Sequence, residues 1–280
     1  MVLESIIDPH NAEKKPWHVF SIAVIFTFIA IFISNVLFPS EISILTIAFI
    51  TILFVPILFV PFFQHLFSIE ERKDEEEAEG KIHQGLLHQR HRQIITIFSY
   101  FFLGIIVATS FVYIFLPGIG ENVFSLQAKT LESISTQATG HALFDAAFWR
   151  ILINNTSVLV LIFLTSVLFG SGAVFILAWN ASVIGVFVGL FIESLIKTGM
   201  ATHVAYLYGV PLGLGQILIH GIPEVAAYFL VGIGGGILSV AITREKFTTP
   251  EFKEVFRDAF LFLVAAEVLI IIAAWLEVLV

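Results

Sequence analysis

Seven stretches of this sequence are apolar and nearly free of charge, at about 18–38, 43–67, 94–116, 152–169, 172–194, 222–243 and 256–279. Coiled as helices, runs of roughly 20 residues match the hydrocarbon core of a bilayer. The composition leaves little else, since 58% of the 280 residues are hydrophobic, 13% are charged and 30 are phenylalanine. A water-soluble domain of this length has no use for so much apolar surface. The expected fold is therefore all-α, a polytopic transmembrane bundle of about seven spans, within a range of six to eight.

The remaining composition excludes several classes. Cysteine is absent, which removes disulfides, thiolate nucleophiles and cysteine metal ligands. The net charge of −8 arises mainly from one acidic stretch, and no basic patch points to nucleic acid. The start, MVLESIIDPHNAEKKPW, lacks the basic-then-apolar order of a cleaved signal, so the first apolar run reads as a retained anchor.

Lysine and arginine set the orientation. With the N-terminus inside, cytoplasmic segments hold Lys14, Lys15, Arg72, Lys73, Lys81, Arg90, Arg92, Arg244, Lys246, Lys253 and Arg257, and the outside holds Lys129, Arg150 and Lys197. This predicts a multi-pass protein of the cell membrane with a cytoplasmic N-terminus and the bilayer as its first partner. The chain then divides into residues 1–93, a two-span hairpin with a charged cytoplasmic linker; residues 94–150, a third span and an extracytoplasmic loop; and residues 151–280, a core of four spans. Within the linker, Glu70 to Glu77 reads as a solvated charge run. Ile82, Leu86, Leu87 and Ile94 fall near one helical face, as in a helix lying in the cytoplasmic membrane interface.

Polar and small residues inside the apolar runs carry the functional reading. His220-Gly221-Ile222-Pro223-Glu224 places two ionisable groups and two helix-perturbing residues together; groups of this kind at membrane depth mark a functional site by default. Pro211, Gly213, Gly215, Gly221 and Pro223 predict a short half-helix over 212–219, a break, and then a sixth span from Ile222. Asn154, Asn155, Glu193, His203, His220 and Glu224 are expected to converge on the extracytoplasmic side, with Asn180 deeper in the fifth span. Gly185 with Gly189, and Gly232 with Gly236, form small-residue faces for close helix packing. Glu267 and Glu277 in the last span mark either a proton or cation path or pairing with another helix.

The order of Asn154-Asn155, Phe169-Gly170-Ser171-Gly172, Trp179-Asn180-x-x-x-x-Gly185 and His220-Gly221-x-x-Glu224 resembles the stage II sporulation protein M family of polytopic membrane proteins. The resemblance covers about 150–244, and the preceding residues share only its general character. It implies a membrane scaffold that assembles with membrane or extracytoplasmic protein partners, as in the remodelling of peptidoglycan during engulfment, where hydrolysis belongs to the partners. A homodimer is compatible with the small-residue faces.

Two other classes compete with the scaffold. In an intramembrane metal-dependent hydrolase, zinc would sit on His220 and Glu224, with His203, Glu193 or an asparagine completing the set, and His220 and Glu224 would also serve catalysis. Against it, the H-E-x-x-H pattern of zinc hydrolases is missing, and Glu70-Glu71 lacks the arginine that a prenyl-processing protease would carry four positions on. An ion or small-solute transporter would use a broken helix and membrane-embedded carboxylates, but no inverted repeat is evident.

Overall fold

The computed structural model describes residues 9–37, 59–73, 91–138, 144–244 and 247–279. Its helices, in chain order, are α1 (Pro9–Lys14), α2 (Trp17–Leu37), α3 (residues 59–73), α4 (Arg92–Phe115), α5 (Pro117–Val123), α6 (Ser125–Ala138), α7 (Phe144–Phe169), α8 (Ala173–Lys197), α9 (Thr202–Arg244) and α10 (Pro250–Leu279). Among the described residues, six helices (α2, α4, α7, α8, α9 and α10) are long and apolar enough to cross a membrane. The interfacial helix expected around residues 82–90 lies outside the described residues, as does most of the second span.

Contacts give each helix its direction. Gly104 of α4 meets Ala23 of α2, and Phe28 meets Phe111, so α2 and α4 run parallel. Phe63 lies against Phe98 and Phe101 while Glu70 reaches His91, so α3 returns antiparallel to α4. Gly185 and Gly189 of α8 meet Thr109 and Tyr113, so α8 is parallel to α4. In α9, Gly209 meets Ile192 and Gly232 meets Ala173, antiparallel to α8; Gly235 meets Ser166 of α7, and Gly234 meets Phe262 of α10. Tracing these directions puts the two ends of the described chain at opposite ends of the bundle, with seven passes between them. We call the end with Arg72, Lys73, Arg92, Arg244 and Arg257 the near end, and that with Phe115 and Lys197 the far end.

Packing rather than hydrophobic exclusion holds such a bundle, because lipid tails are as apolar as its side chains. Phe59, Phe62, Phe63, Phe67, Phe98 and Phe101 fill the space between α3 and α4, fully buried. Their rings approach edge-on or tilted, as in Phe59 and Phe101 at 4.8 Å or Phe63 and Phe98 at 4.6 Å, the geometry favoured by the ring quadrupole. Where backbones come closest the sequence supplies glycine. A Cβ on Gly232 would lie 2.7 Å from Ala173 Cβ, and one on Gly236 would lie 2.7 Å from the Phe67 ring. All four glycines named from the sequence thus serve contacts within one chain. The turn from α7 to α8 needs Gly170 at φ +72°, and the Ser166 hydroxyl accepts from the Ala173 N–H at 3.0 Å.

One element departs from expectation. The predicted break before the sixth span is absent, and α9 is a single helix of 43 residues with Pro211 and Pro223 inside it. Each proline forfeits one backbone bond, whereas an open break would strand several carbonyls where no water reaches. The lower local cost is to stay helical.

Candidate functional site at the far end

The continuous helix changes which polar residues meet. His220, Glu224 and Tyr228 stand one turn apart on α9, and the Tyr228 hydroxyl hydrogen-bonds the Glu224 carboxylate. Glu277, near the end of α10, interacts electrostatically with His220, with Glu224 and with Arg150 near the start of α7. Ten residues earlier on α10, Glu267 accepts a 2.8 Å hydrogen bond from Thr156 of α7. Asn154 donates to Asn155 Oδ1 at 3.1 Å, with Asn155 buried and Asn154 exposed. The site is therefore a three-helix junction of α7, α9 and α10, in which carboxylates are answered by a guanidinium, an imidazole and hydroxyls. Acids held in an apolar bundle require such company.

The other expected members lie elsewhere. His203 and His220 are 17 residues apart on one continuous helix, about 25 Å at 1.5 Å per residue, so they cannot share a ligand. Glu193 belongs to the level of Ile192, which packs on Gly209, and it pairs with exposed Lys197 at 3.5 Å. Asn180 donates to the Ile176 carbonyl of its own helix at 2.9 Å. Among the described residues no three His, Asp or Glu side chains are grouped to hold a metal ion. His203 therefore does not complete a zinc site with His220 and Glu224. A cavity of about 550 Å³ lined by Val60, Thr165, Phe169, Ser171 and Phe175 lies near the opposite end of α7 and is apolar, so it does not extend this site.

Sequence reasoning missed Arg150, Thr156 and Tyr228 as members. Tyr228 carried a usable signal, since it repeats the four-residue step from His220 to Glu224. Arg150 and Thr156 carried none, because their partners are more than 100 residues away. For Glu267, of the two meanings left open, the structure shows helix pairing.

A second polar centre, at the near end, corrects the solvated reading for Glu70 and Glu71; Arg72 is exposed, and residues 74–77 of that run lie outside the described residues. Glu70 and Glu71 are fully buried. Glu70 binds His91 Nδ1 at 2.7 Å and Lys73 Nζ at 2.7 Å, and Glu71 accepts from Arg244 at 3.0 Å. Lys73 also donates to Glu13 at 3.2 Å and Gln93 at 3.0 Å. Burial by itself would lower the Lys73 pKa, but Glu70 and then Glu13 hold it above the ordinary lysine value. These bonds tie α1, α3, the start of α4 and the end of α9 into one knot.

A family model described as Stage II sporulation protein M matches residues 94–280. It begins well before the stretch from which the resemblance was read, and it takes in α5, α6 and the whole far-end junction. No curated protein and no solved structure matches the chain. With two thirds of its length matched by that family model, and with six described helices long and apolar enough to cross a membrane, this chain belongs to the stage II sporulation protein M family.

Proposed function

We propose that this chain is an integral membrane scaffold or assembly protein that organises partner proteins at the extracytoplasmic face of the cell membrane. The observation that carries the reading is the outer stretch of α9. Glu277 of α10 interacts with His220 of α9 and with Arg150 of α7, and residues 202–219 continue for about 27 Å on the far side of His220. There α9 packs on α8 through Gly209 and Gly213 and on Phe115 through Tyr206. Its other face carries Tyr208, Leu212, Ile219 and Ile222, all exposed, with open space around Gly215 at the centre. These positions fall within an arc of about 80° around the helix at 100° per residue. An apolar stripe with a small residue at its middle is the shape that receives another helix.

The positive-inside tendency supports a cytoplasmic near end, where Arg72, Lys73, Arg92, Arg244 and Arg257 gather, and hence a stripe in the extracytoplasmic half of the bundle. The four glycines of the sequence-level packing faces are occupied within the chain, so this stripe, rather than those faces, is where association belongs. The test is photo-crosslinking in native membranes from a probe at Leu212, with Leu161 on α7 as a lipid-facing control. The expected result is a defined protein adduct at Leu212 that is weakened by Ile219→Asp. Recovery of only a monomer without adduct, in membranes and in mild detergent, overturns the reading.

A further inference from the structure

The segment joining α4 to α7 does not stand away from the bundle as a loop would. A Cβ on Gly120 of α5 would come within 2.8 Å of Tyr113 Cα on α4. Val123 and Phe124 are buried in one cluster with Ile31, Val112, Tyr113 and Val186, and Ala128 and Leu131 pack against it. Further along, Gln127 of α6 is fully buried and donates from Nε2 to Ser182 Oγ at 3.1 Å. Ser182 is only three residues, about 4.5 Å, from the middle of α8, a helix with the length and composition of a membrane span. Gln127 therefore sits near half depth in any bilayer that α8 crosses.

The residues around it do not suit lipid. The sequence of α6, SLQAKTLESISTQA, alternates polar and apolar residues without a sustained apolar run. Lys129 and Glu132 follow Gln127 by about 3 and 7.5 Å along the axis, and both are exposed. Lysine can extend its stem towards an interface, but glutamate has too short a stem to do so. Non-spanning backbone at membrane depth occurs where protein encloses it or water reaches it. One atom speaks for water. Gln127 Oε1 is buried and has no hydrogen-bond partner among the described residues, and neither has Thr109 Oγ1, on the helix that packs against Gly185. Buried acceptors in such surroundings are ordinarily satisfied by a bound water.

The geometry points to α5 and α6 as a re-entrant hairpin that lines a water-filled crevice, open at the far end and closed near mid-depth at the Gln127–Ser182 contact. The exposed side of α6 is its wall, and water or a small hydrogen-bonding solute is its occupant. This does not depend on the partner-binding stripe of α9, which lies on another helix.

The absence of cysteine makes the test direct. Single cysteines replace Lys129 or Glu132 in the otherwise unchanged full-length protein in sealed vesicles, and a membrane-impermeant maleimide is added to one side at a time. Arg72→Cys and Lys197→Cys mark the near and far sides, and Leu161→Cys reports lipid. All five positions are exposed, so the substitutions leave the packing intact. Because only a hydrated thiolate reacts, Lys129→Cys and Glu132→Cys are expected to label from the Lys197 side at a rate within about tenfold of Lys197→Cys, and roughly 100-fold faster than Leu161→Cys. Labelling as slow as Leu161→Cys, from either side, overturns the crevice, and labelling from the Arg72 side overturns its direction.

Discussion

Two charge contacts of similar length illustrate how little a distance says about energy. Arg244 and Glu71 are 3.0 Å apart, and Lys197 and Glu193 are 3.5 Å apart. The first carboxylate is fully buried, while the second pair joins an exposed lysine to a half-buried glutamate. Removing one partner of a buried pair leaves a charge that the protein must still hold, so Arg244→Met is expected to cost on the order of 2–3 kcal/mol, somewhat below a wholly buried pair because the arginine is half exposed. Lys197→Ala is expected to cost less than about 0.5 kcal/mol. Thermal unfolding in one detergent checks both; equal losses would mean that burial is not what distinguishes them. Glycines allow the same comparison. Gly235→Ala brings its Cβ to 2.7 Å from Ser166 Cβ and 2.9 Å from the Phe163 carbonyl, whereas Gly215→Ala meets nothing within 4 Å. The first should lose roughly 1–3 kcal/mol, and the second should be neutral or gain up to about 1 kcal/mol from a stiffer helix. At the far-end junction, Glu224→Gln keeps the volume and one acceptor for Tyr228, so membrane abundance is expected to stay at the wild-type level while partner capture falls. Partner capture unchanged from wild type would show that the carboxylate charge is dispensable.

At the level of whole elements, the sequence spoke clearly wherever hydropathy alone decides. Apolar runs that set the length of α2, α4, α8 and α10 are read directly, because a bilayer permits few alternatives to helix there. It misled where context decides. Pro211 and Pro223 suggested a break because prolines stop helices in water, yet α9 stays continuous. The same property separates His203 from His220, which were assigned to one side by span counting. Glu70 and Glu71 looked solvated because their neighbours in sequence are charged, while the group that answers Glu71 comes 173 residues later. Gln127 gave no signal in an otherwise loop-like stretch. A prediction tests the element that differed most: Pro223→Ala should leave α9 helical and change stability by no more than about 1 kcal/mol. A large loss of helical content would mean that the proline shapes the helix after all. The near-end knot makes a second, pH-dependent prediction. The Lys73 pKa is raised in the folded chain, so its contribution is complete below the unfolded lysine value near 10.5 and is lost as pH rises through the higher folded value. Stability is expected to fall above about pH 10.5, and the fall should be shallower in Lys73→Met, which has no ammonium left to titrate. Identical alkaline profiles would remove Lys73 from the account.

For the whole molecule, the arrangement of charges and the parity of passes make one joint prediction. The near end gathers buried carboxylates with Lys73 and Arg244, and it also carries exposed Arg72, Arg92, Lys253 and Arg257. Cationic groups there resist translocation, whereas the far end retains mainly Lys129, Arg150 and Lys197. Because α2 starts at the near end and α10 finishes at the far end, the start of α2 and the end of α10 are expected on opposite sides of the membrane. A short epitope before α1 and another after α10, probed in sealed vesicles of known sidedness, separates the two parts of this statement. Protection of the first epitope and cleavage of the second by external protease in right-side-out vesicles fits both the seven passes and the orientation. The reverse pattern keeps the passes and overturns the orientation. Both epitopes on one side overturn the passes themselves, and with them the placement of the α9 stripe and the Gln127 crevice at a shared far end.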